Sequence, residues 1–559
     1  MRPLMAAGEL VFAPLGGIGE IGMNLSLYGF GDGKRRQWLM VDCGVSFATE
    51  EHLPGIDLIM PDIRYLIEQR KNIVGLILTH GHEDHMGALI DLWPRLNVAL
   101  YATPFTAALF EARRLSEPGA PEIPLQVVPC GGRVELGPFA VDFINVAHSI
   151  PESNALAIRT PAGTVLHTGD WKIDPTPLIG APTDQARLTA LGDEGVLALV
   201  GDSTNAVREG RSPSETDVAK TLAELIRTAP ARVAVTTFAS HVGRIRAVAD
   251  AARVADREVV VVGRAMERVT QVARETGYLD GVQDFRDAKS YGYLPPDKVL
   301  ALCTGSQGEP RSALARIALD EHPEVTLAKG DRVIFSSRAI PGNEKAVART
   351  INGLITQGVE VITDRTHLVH VSGHPRRAEL LEMIGWVRPQ ILIPAHGEAL
   401  HLAEHAALAR GAGVPHVVVC RNGDLVRLAP HGAEIIDEIP SGRVYKDGSL
   451  LVDAAAGTVA ARRRLSFAGI VTVALALSEK GTLVADPEVE LFGIPQTDAA
   501  GLSMAEIARD AVEDAFASLP KPRRRDPDVV AEAVRRAVRA AVGERWNKRP
   551  ICHVHVLDV

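Results

Sequence analysis

The nonapeptide THGHEDHMG, residues 79–87, sets His80, His82, Asp84 and His85 in the spacing H-x-H-x-D-H. Neutral imidazole and carboxylate are good ligands for zinc or manganese. At the end of a strand, residues two apart point the same way, which would aim His80 and His82 at one cation. Asp84 and His85 would open the following helix and face the other side of a shared site. Donors this dense favour two cations over one, and a dinuclear site needs more of them than the cluster holds. A polar loop of solvated histidines explains a lone His well. It explains this spacing after an apolar strand poorly.

The missing donors are expected at the ends of other apolar runs. His148 closes FINVAHSIPESN, Asp170 closes GTVLHTGD and His396 closes ILIPAHG. Like QWLMVDCG (37–44) and GVLALVGDSTN (195–205), these runs suit strands buried on both faces of a helix-covered sheet. In layered α/β folds, strand ends are where ligands bind. Beyond the cluster, Met86, Leu89, Ile90 and Trp93 follow helical spacing.

From about 230 to 372, RVAVTTF, EVVVVG, KVLALCTG and DRVIFSS each precede a polar turn and a helix-like segment, predicting a second α/β unit with a parallel sheet. AAAGTVAARRR (454–464) reads as a linker with a basic end. Ser503 and Glu506 form a capping box. Asp526-Pro527 starts another helix, with Val530, Val534, Val538 and Ala541 along one face. VTVALALS, TLVADPEVELFG and ICHVHVLDV supply strands, so a small α+β domain closes the chain.

At 559 residues the chain exceeds one core, and 46% hydrophobic with 23% charged residues is the balance of a globular protein. No apolar run is long enough for a transmembrane helix, and MRPLMAAGELVFAPLGG reads as a strand and turn, not a secretory signal. Five cysteines without paired spacing argue against a disulfide framework or zinc knuckle and for a reducing cytoplasm. The net charge of −9 argues against a surface coated in positive charge but not against a local basic groove for nucleic acid.

Taken together, these motifs resemble the β-CASP nucleases of the metallo-β-lactamase superfamily, and within them the bacterial ribonuclease J family. The resemblance runs through PLGGIGEIGMN (14–24), the cluster at 80–85, HSIPESNA (148–155), HTGDWKID (167–174) and GDSTNA (201–206). It continues through TFASHVGR (237–244), GSQGEP (305–310), IPGNE (340–344) and HVSGH (370–374), the last followed by PAHGE. H-x-H-x-D-H alone would name only the superfamily; HVSGH with PAHGE points to the β-CASP branch.

The fold implied is a metallo-β-lactamase αββα sandwich split by a β-CASP α/β domain, plus the small α+β C-terminal domain. The expected boundaries are 1–207 and 373–450 for the sandwich, 208–372 for the insertion, 451–464 for the linker and 465–559 for the last domain. The resemblance implies two Zn2+ per subunit, with Mn2+ or Mg2+ as alternatives. His80, His82 and His148 would hold one, Asp84, His85 and His396 the other, and Asp170 would bridge. Asp42 would support the ligands from behind. Two such cations, roughly 3.5–4 Å apart, activate water at neutral pH and neutralise charge on a phosphodiester. Asp84 would orient the nucleophile, and His374 would contact the phosphate or protonate the leaving oxygen.

His370, Val371, Ser372, Gly373 and His374 would form a pocket for an RNA 5′-monophosphate, with Ala239, Ser240 and His241 contacting nucleotides. Phe238 could stack a base or, ending a strand, belong to the core, and Arg244 and Arg246 either meet phosphates or sit solvated on a helix face. The activity implied is 5′-to-3′ exonuclease with internal cleavage of single-stranded RNA, in RNA decay and maturation. A homodimer or homotetramer through the C-terminal domain, partners in an RNA-decay complex and a cytoplasmic location are also implied. The alternative is a thioesterase- or lactonase-type hydrolase on the same core. A non-catalytic RNA-binding scaffold fits less well, because all seven ligands are present. The pairs His401/His405 and His553/His555 read as a helix face and an edge strand. The glycine-rich PLGGIGEIG reads as an active-site loop, since no acidic ribose clamp accompanies it.

Overall fold

The computed structural model describes residues 8–48, 53–340 and 342–559. The first seven residues, at the head of the expected opening strand and turn, and Pro341 of IPGNE lie outside them. The chain packs as two compact units, the first taking in Leu58–Val444 with the residues up to Phe47, the second holding Tyr445–Val559.

Two sheets face each other in the first unit. One has eight strands, in the order Glu434–Glu438, Asp424–Ala429, Leu10–Gly16, Leu25–Phe30, Gln37–Val41, Ile73–Ile77, Leu100–Ala102, Leu125–Val127. The other has seven: His416–Val417, Ile391–Ala395, Ala198–Asp202, Gly163–His167, Asn154–Thr160, Phe139–Asn145, Arg133–Leu136. Phe12, Tyr28, Leu39 and Ile77 from the first interlock with Phe139, Phe143, Leu156, Val200 and Ile393 from the second. Burying apolar area of this kind contributes about 25 cal/mol per Å2, which is why the runs are so unbroken. On the outer face of the second sheet, Leu188, Leu380, Met383 and Ala409 of the helices Gln185–Glu194, Arg377–Val387 and Ala399–Gly411 join Ala157, Leu166, Leu199 and Leu392.

Ala198–Asp202 and Ile391–Ala395 pair in parallel as neighbours in the sheet. Between them the chain leaves, builds a second layered unit and returns to the same place. That insertion has five parallel strands, in the order Glu258–Val262, Val299–Cys303, Val233–Thr236, Arg332–Phe335, Glu360–Ile362. Its core joins Val260, Ala301, Ala234 and Val333 to Leu314, Ile317 and Leu354 of flanking helices. The parallel α/β expectation holds.

The second unit has a sheet ordered Glu488–Phe492, Ile470–Leu477, Ile551–Asp558. Val471, Val473 and Leu475 pack under the helices Met504–Ser518 and Pro527–Trp546. Ser503 and Asp526 cap those helices through their side chains, Ser503 accepting from the Glu506 amide as one half of the expected capping box. Val530, Val534 and Val538 are buried, but the next buried residue is Val542, one helical turn on, rather than Ala541. The linker reading is corrected: Leu450–Asp453 is a strand and Thr458–Ala468 a helix. Ala, Arg and Leu are strong helix formers, and a basic run says nothing against a helix. His553 and His555 are exposed on the edge strand while Cys552 is buried. Among the described residues no helix is long and apolar enough to cross a membrane.

Candidate metal centre

The strand Ile73–Ile77 stops short of the cluster, so His80 and His82 stand on a loop and not on the strand itself. Asp84 and His85 fall in the short helix Glu83–Met86, as expected. Asp42, in a left-handed conformation (φ 64°), fixes this loop from behind. Its carboxylate accepts from the Thr79 amide (2.8 Å) and hydroxyl (2.9 Å) and from His85 Nδ1 (2.7 Å). Gly44 lets the chain pass: a Cβ there would lie 1.7 Å from the Asp84 carbonyl oxygen.

The imidazoles of His80, His85, His148 and His396 are each oriented by their other nitrogen. His148 Nδ1 donates to the Gly373 carbonyl (2.6 Å), and His396 Nδ1 donates to Asn24 Oδ1 (2.9 Å). Thr79 Oγ1, its own proton committed to Asp42, can accept from His80 Nδ1 (3.0 Å). Those bonds leave the Nε2 lone pairs of His80, His148 and His396 facing inward. His80 Nε2 and His148 Nε2 stand 3.0 and 3.2 Å from His82 Nδ1, and 3.8 and 3.6 Å from Asp170 Oδ2. On the other side of Asp170, its Oδ2 is 3.3 Å from His85 Nε2 and 3.5 Å from His396 Nε2. Asp84 Oδ2 lies 3.5 and 3.7 Å from the same two nitrogens. Two donor groups share Asp170 (His80, His82, His148, Asp170 and Asp84, His85, Asp170, His396), and a third, Asp202, His374, His396, adjoins them.

The electrostatics fit cations at both positions. Burial first, then neighbouring imidazoles, push His80 and His148 far below their ordinary pKa and His82 down to about 4. All three are neutral, the form that ligates. Burial opposes ionisation of Asp170, yet His396, His85 and His374 hold its carboxyl far below the usual range. Burial lowers His85, but Asp170, Asp84 and Asp42 outweigh it and raise it. Asp170 Oδ1 and His396 Nε2 are buried without a hydrogen-bond partner. Converging lone pairs and an orphaned carboxylate oxygen are what divalent cations satisfy.

His374 meets the same site from the insertion side. Its Nδ1 bonds Asp202 Oδ2 (2.7 Å), and its ring stands 5.2 Å from that of His148 and 5.5 Å from that of His396. Burial would lower His374, but Asp202 and Asp170 raise it to about 9. Ser372 Oγ and the His374 carbonyl both accept from Asn205 Nδ2 (2.9 and 3.1 Å). Val371 is buried, so only its backbone can meet a ligand, and His370 Nδ1 is buried without a partner. Ala239 and Ser240 are half-buried.

His241, expected to contact nucleotides, is buried, caps the helix Val242–Val254 and reaches Glu215 Oε1 (3.2 Å). Arg244 is fully buried against Glu215, neither solvated nor facing a phosphate, because its fork matches a carboxylate inside the fold. Arg246 is half-buried and donates to the Tyr278 carbonyl (3.0 Å). His405 is buried on Ser203 (2.9 Å) and forms no metal group with His401. The loop after the first strand does line the centre: Gly16, Gly17, Ile18 and Asn24 share a cavity with His85, Asp170 and His396. Sequence reasoning passed over Asn24, Asp202 and Asn205, although each lies within a motif it quoted.

Four family models match the chain. "Metallo-beta-lactamase superfamily" covers residues 32–264, "Ribonuclease J, beta-CASP domain" 230–354, "Zn-dependent metallo-hydrolase RNA specificity domain" 358–419 and "Ribonuclease J C-terminal domain" 457–559. The chain is 54% identical to a ribonuclease J of Sinorhizobium meliloti, over 99% of this chain and 98% of that one. The chain belongs to the ribonuclease J family. It is 38% identical to the ribonuclease J of Mycolicibacterium smegmatis (100% and 99% covered) and to that of Thermus thermophilus (95% and 92%). A solved protein of unknown function from Enterococcus faecalis matches at a TM-score of 0.51 and 16% identity, over 75% of this chain and 100% of its own; it shows the fold alone. As a member of the ribonuclease J family, the chain is a metal-dependent ribonuclease.

Proposed function

We propose that this ribonuclease is a 5′-to-3′ exonuclease favouring 5′-monophosphate ends, with endonuclease activity, acting in RNA decay and maturation. The carrying observation is that HVSGH is hydrogen-bonded to the metal centre's own wall, through Gly373 and His148. A 5′-phosphate held by Ser372 and the Gly373 amide would sit at a fixed distance from the scissile bond.

In this reading His80, His82 and His148 hold one cation, Asp84, His85 and His396 the other, and Asp170 both. We assign zinc, with manganese or magnesium as alternatives. The pair supplies an activated water and charge neutralisation at phosphorus. Asp84, half-buried, orients that water, and Asn24 and Asp42 hold ligands to their tautomers. A P–O bond forms to the water oxygen, whose proton passes to bulk solvent, and the P–O3′ bond breaks. The leaving oxygen takes a proton from His374, which Asp202 keeps charged. The products are a 5′-phosphate and a 3′-hydroxyl. Ala239 and Ser240 are assigned to nucleotide contacts, His241 only through its loop. Domain limits at 207, 372 and 450, self-association through the C-terminal domain, decay-complex partners and a cytoplasmic location belong to the same proposal.

The test is time-resolved cleavage of end-labelled RNA with the 5′ group varied and metals exchanged. Mononucleotides should leave fastest from the 5′-monophosphate RNA and more slowly from 5′-triphosphate or 5′-hydroxyl RNA. Equal rates on all three would remove the phosphate pocket. Thioester hydrolysis without RNA cleavage would favour the small-molecule alternative.

A further inference from the structure

Glu215, Arg244, Lys172 and Asp174 are all buried and carry alternating charge, yet none touches the metal centre's ligands. Arg244 donates to Glu215 Oε2 through both Nε (3.2 Å) and Nη2 (2.7 Å). Its Nη1 donates to Ser336 Oγ (2.6 Å) and to the carbonyls of Ser336 (3.1 Å) and Val369 (2.9 Å). Ser336 Oγ donates its own hydrogen bond to the same Val369 carbonyl (2.7 Å). Val369 is the residue before HVSGH. Glu215 also faces Lys172 Nζ (3.5 Å), which pairs with Asp174 (2.9 Å) on the segment that follows Asp170.

Burying two ion pairs is a poor route to stability, since apolar residues of equal volume do as well or better. What such a network does supply is a fixed geometry, because a planar guanidinium bonded on all sides permits one arrangement. Here the arrangement pins HVSGH at its start, while His148 and Asn205 hold its end. The turn between these anchors carries His370, whose buried Nδ1 has no partner, and Ser372.

We infer that Arg244, with Glu215 and Ser336, is a positioning device that holds the HVSGH turn at the distance the RNA 5′ end requires. This rests on the proposed 5′-monophosphate preference. Arg244 touches no substrate; it acts through the Val369 carbonyl. Lysine at 244 keeps the charge for Glu215 but cannot reach Ser336 and Val369 as well.

The experiment uses the full-length, metal-loaded enzyme and its Arg244→Lys variant. It compares kcat/KM on 5′-monophosphate and 5′-hydroxyl RNA of one sequence, and amide hydrogen exchange across 370–374 and 80–85. In Arg244→Lys the monophosphate-to-hydroxyl ratio should fall about tenfold, the worth of one charge-assisted hydrogen bond. Exchange should quicken at 370–374 and stay native at 80–85, with metal content unchanged. A loss of stability alone would lower both substrates together and leave the ratio where it was. If Arg244→Lys does not fold, Ser336→Ala, which removes only the relay to Val369, takes its place with a smaller shift in the same direction. Unchanged exchange at 370–374, or an unchanged ratio where the wild type discriminates, overturns the positioning role. A wild type that treats both ends alike overturns the phosphate reading instead, and the exchange result then decides the clamp on its own.

Discussion

At the scale of single residues, the centre depends on which nitrogen carries each proton. Asp170 is the one carboxylate common to both donor groups. Asp170→Asn should abolish RNA cleavage and lower bound metal toward one ion or none; metal analysis beside a rate assay checks it, and full metal content with native rate would refute the shared role. Asn24 touches no substrate in the proposed reaction but fixes the His396 tautomer. Asn24→Ala should weaken metal affinity about 10–100-fold, measured by competition with a chelator. His374 gives the opposite signature. His374→Ala should cost about 10²–10⁴ in kcat with both metals retained, if the proposed role of proton transfer rather than ligation holds. If metal is lost along with rate, the acid assignment fails.

At the scale of elements, the centre is made by segments that pass at van der Waals range. Gly373 runs against the His148 ring, where a Cβ would fall 2.6 Å from Cε1 and Nδ1. Gly373→Ala should displace either the ring or HVSGH and cost about 100-fold in kcat/KM, the expected effect of a displacement near 1 Å. Glu215 gives a stability counterpart. Burial disfavours its charge, but Arg244 and then His241 and Lys172 hold its carboxyl well below its ordinary 4.5. A depressed carboxylate stabilises above its unfolded value, and that contribution fades as pH falls through the folded one. Glu215→Gln should therefore cost about 3–5 kcal/mol near neutral pH, with the gap to wild type closing below pH ~4. Urea titrations at several pH values read this directly, and a pH-independent gap would contradict it. Elements were legible where apolar runs were unbroken, as in Ala198–Asp202, buried at every position. They were missed at Thr458–Ala468, where composition looked like a tether and helix propensity decided otherwise.

At the scale of the whole molecule, the metal centre and the hydrophobic cores are separate sources of order. The sandwich, the insertion and the second unit each have their own apolar cluster. Stripping metal with a chelator should leave far-ultraviolet circular dichroism near native. It should abolish activity and lower stability by about 2.7 kcal/mol for each site emptied, relative to protein in hundredfold metal excess over Kd. Restoring zinc or manganese should return both. Collapse of secondary structure on chelation would show instead that metal binding is coupled to folding of the sandwich.

The sequence by itself determined that enough donors for a metal centre were present. H-x-H-x-D-H, His148, Asp170 and His396 could be named because each ends an apolar run, and strand ends gather at one edge of a layered sheet. Only the tertiary structure decided the orientation of those donors. Which nitrogen of His396 faces inward depends on Asn24, and His374 depends on Asp202, partners far away along the chain. Arg244 makes the point most plainly. By its type and helical spacing it belonged on the surface, and the fold buried it, because Glu215, Ser336 and Val369 come together around it only when the insertion closes on its own sheet.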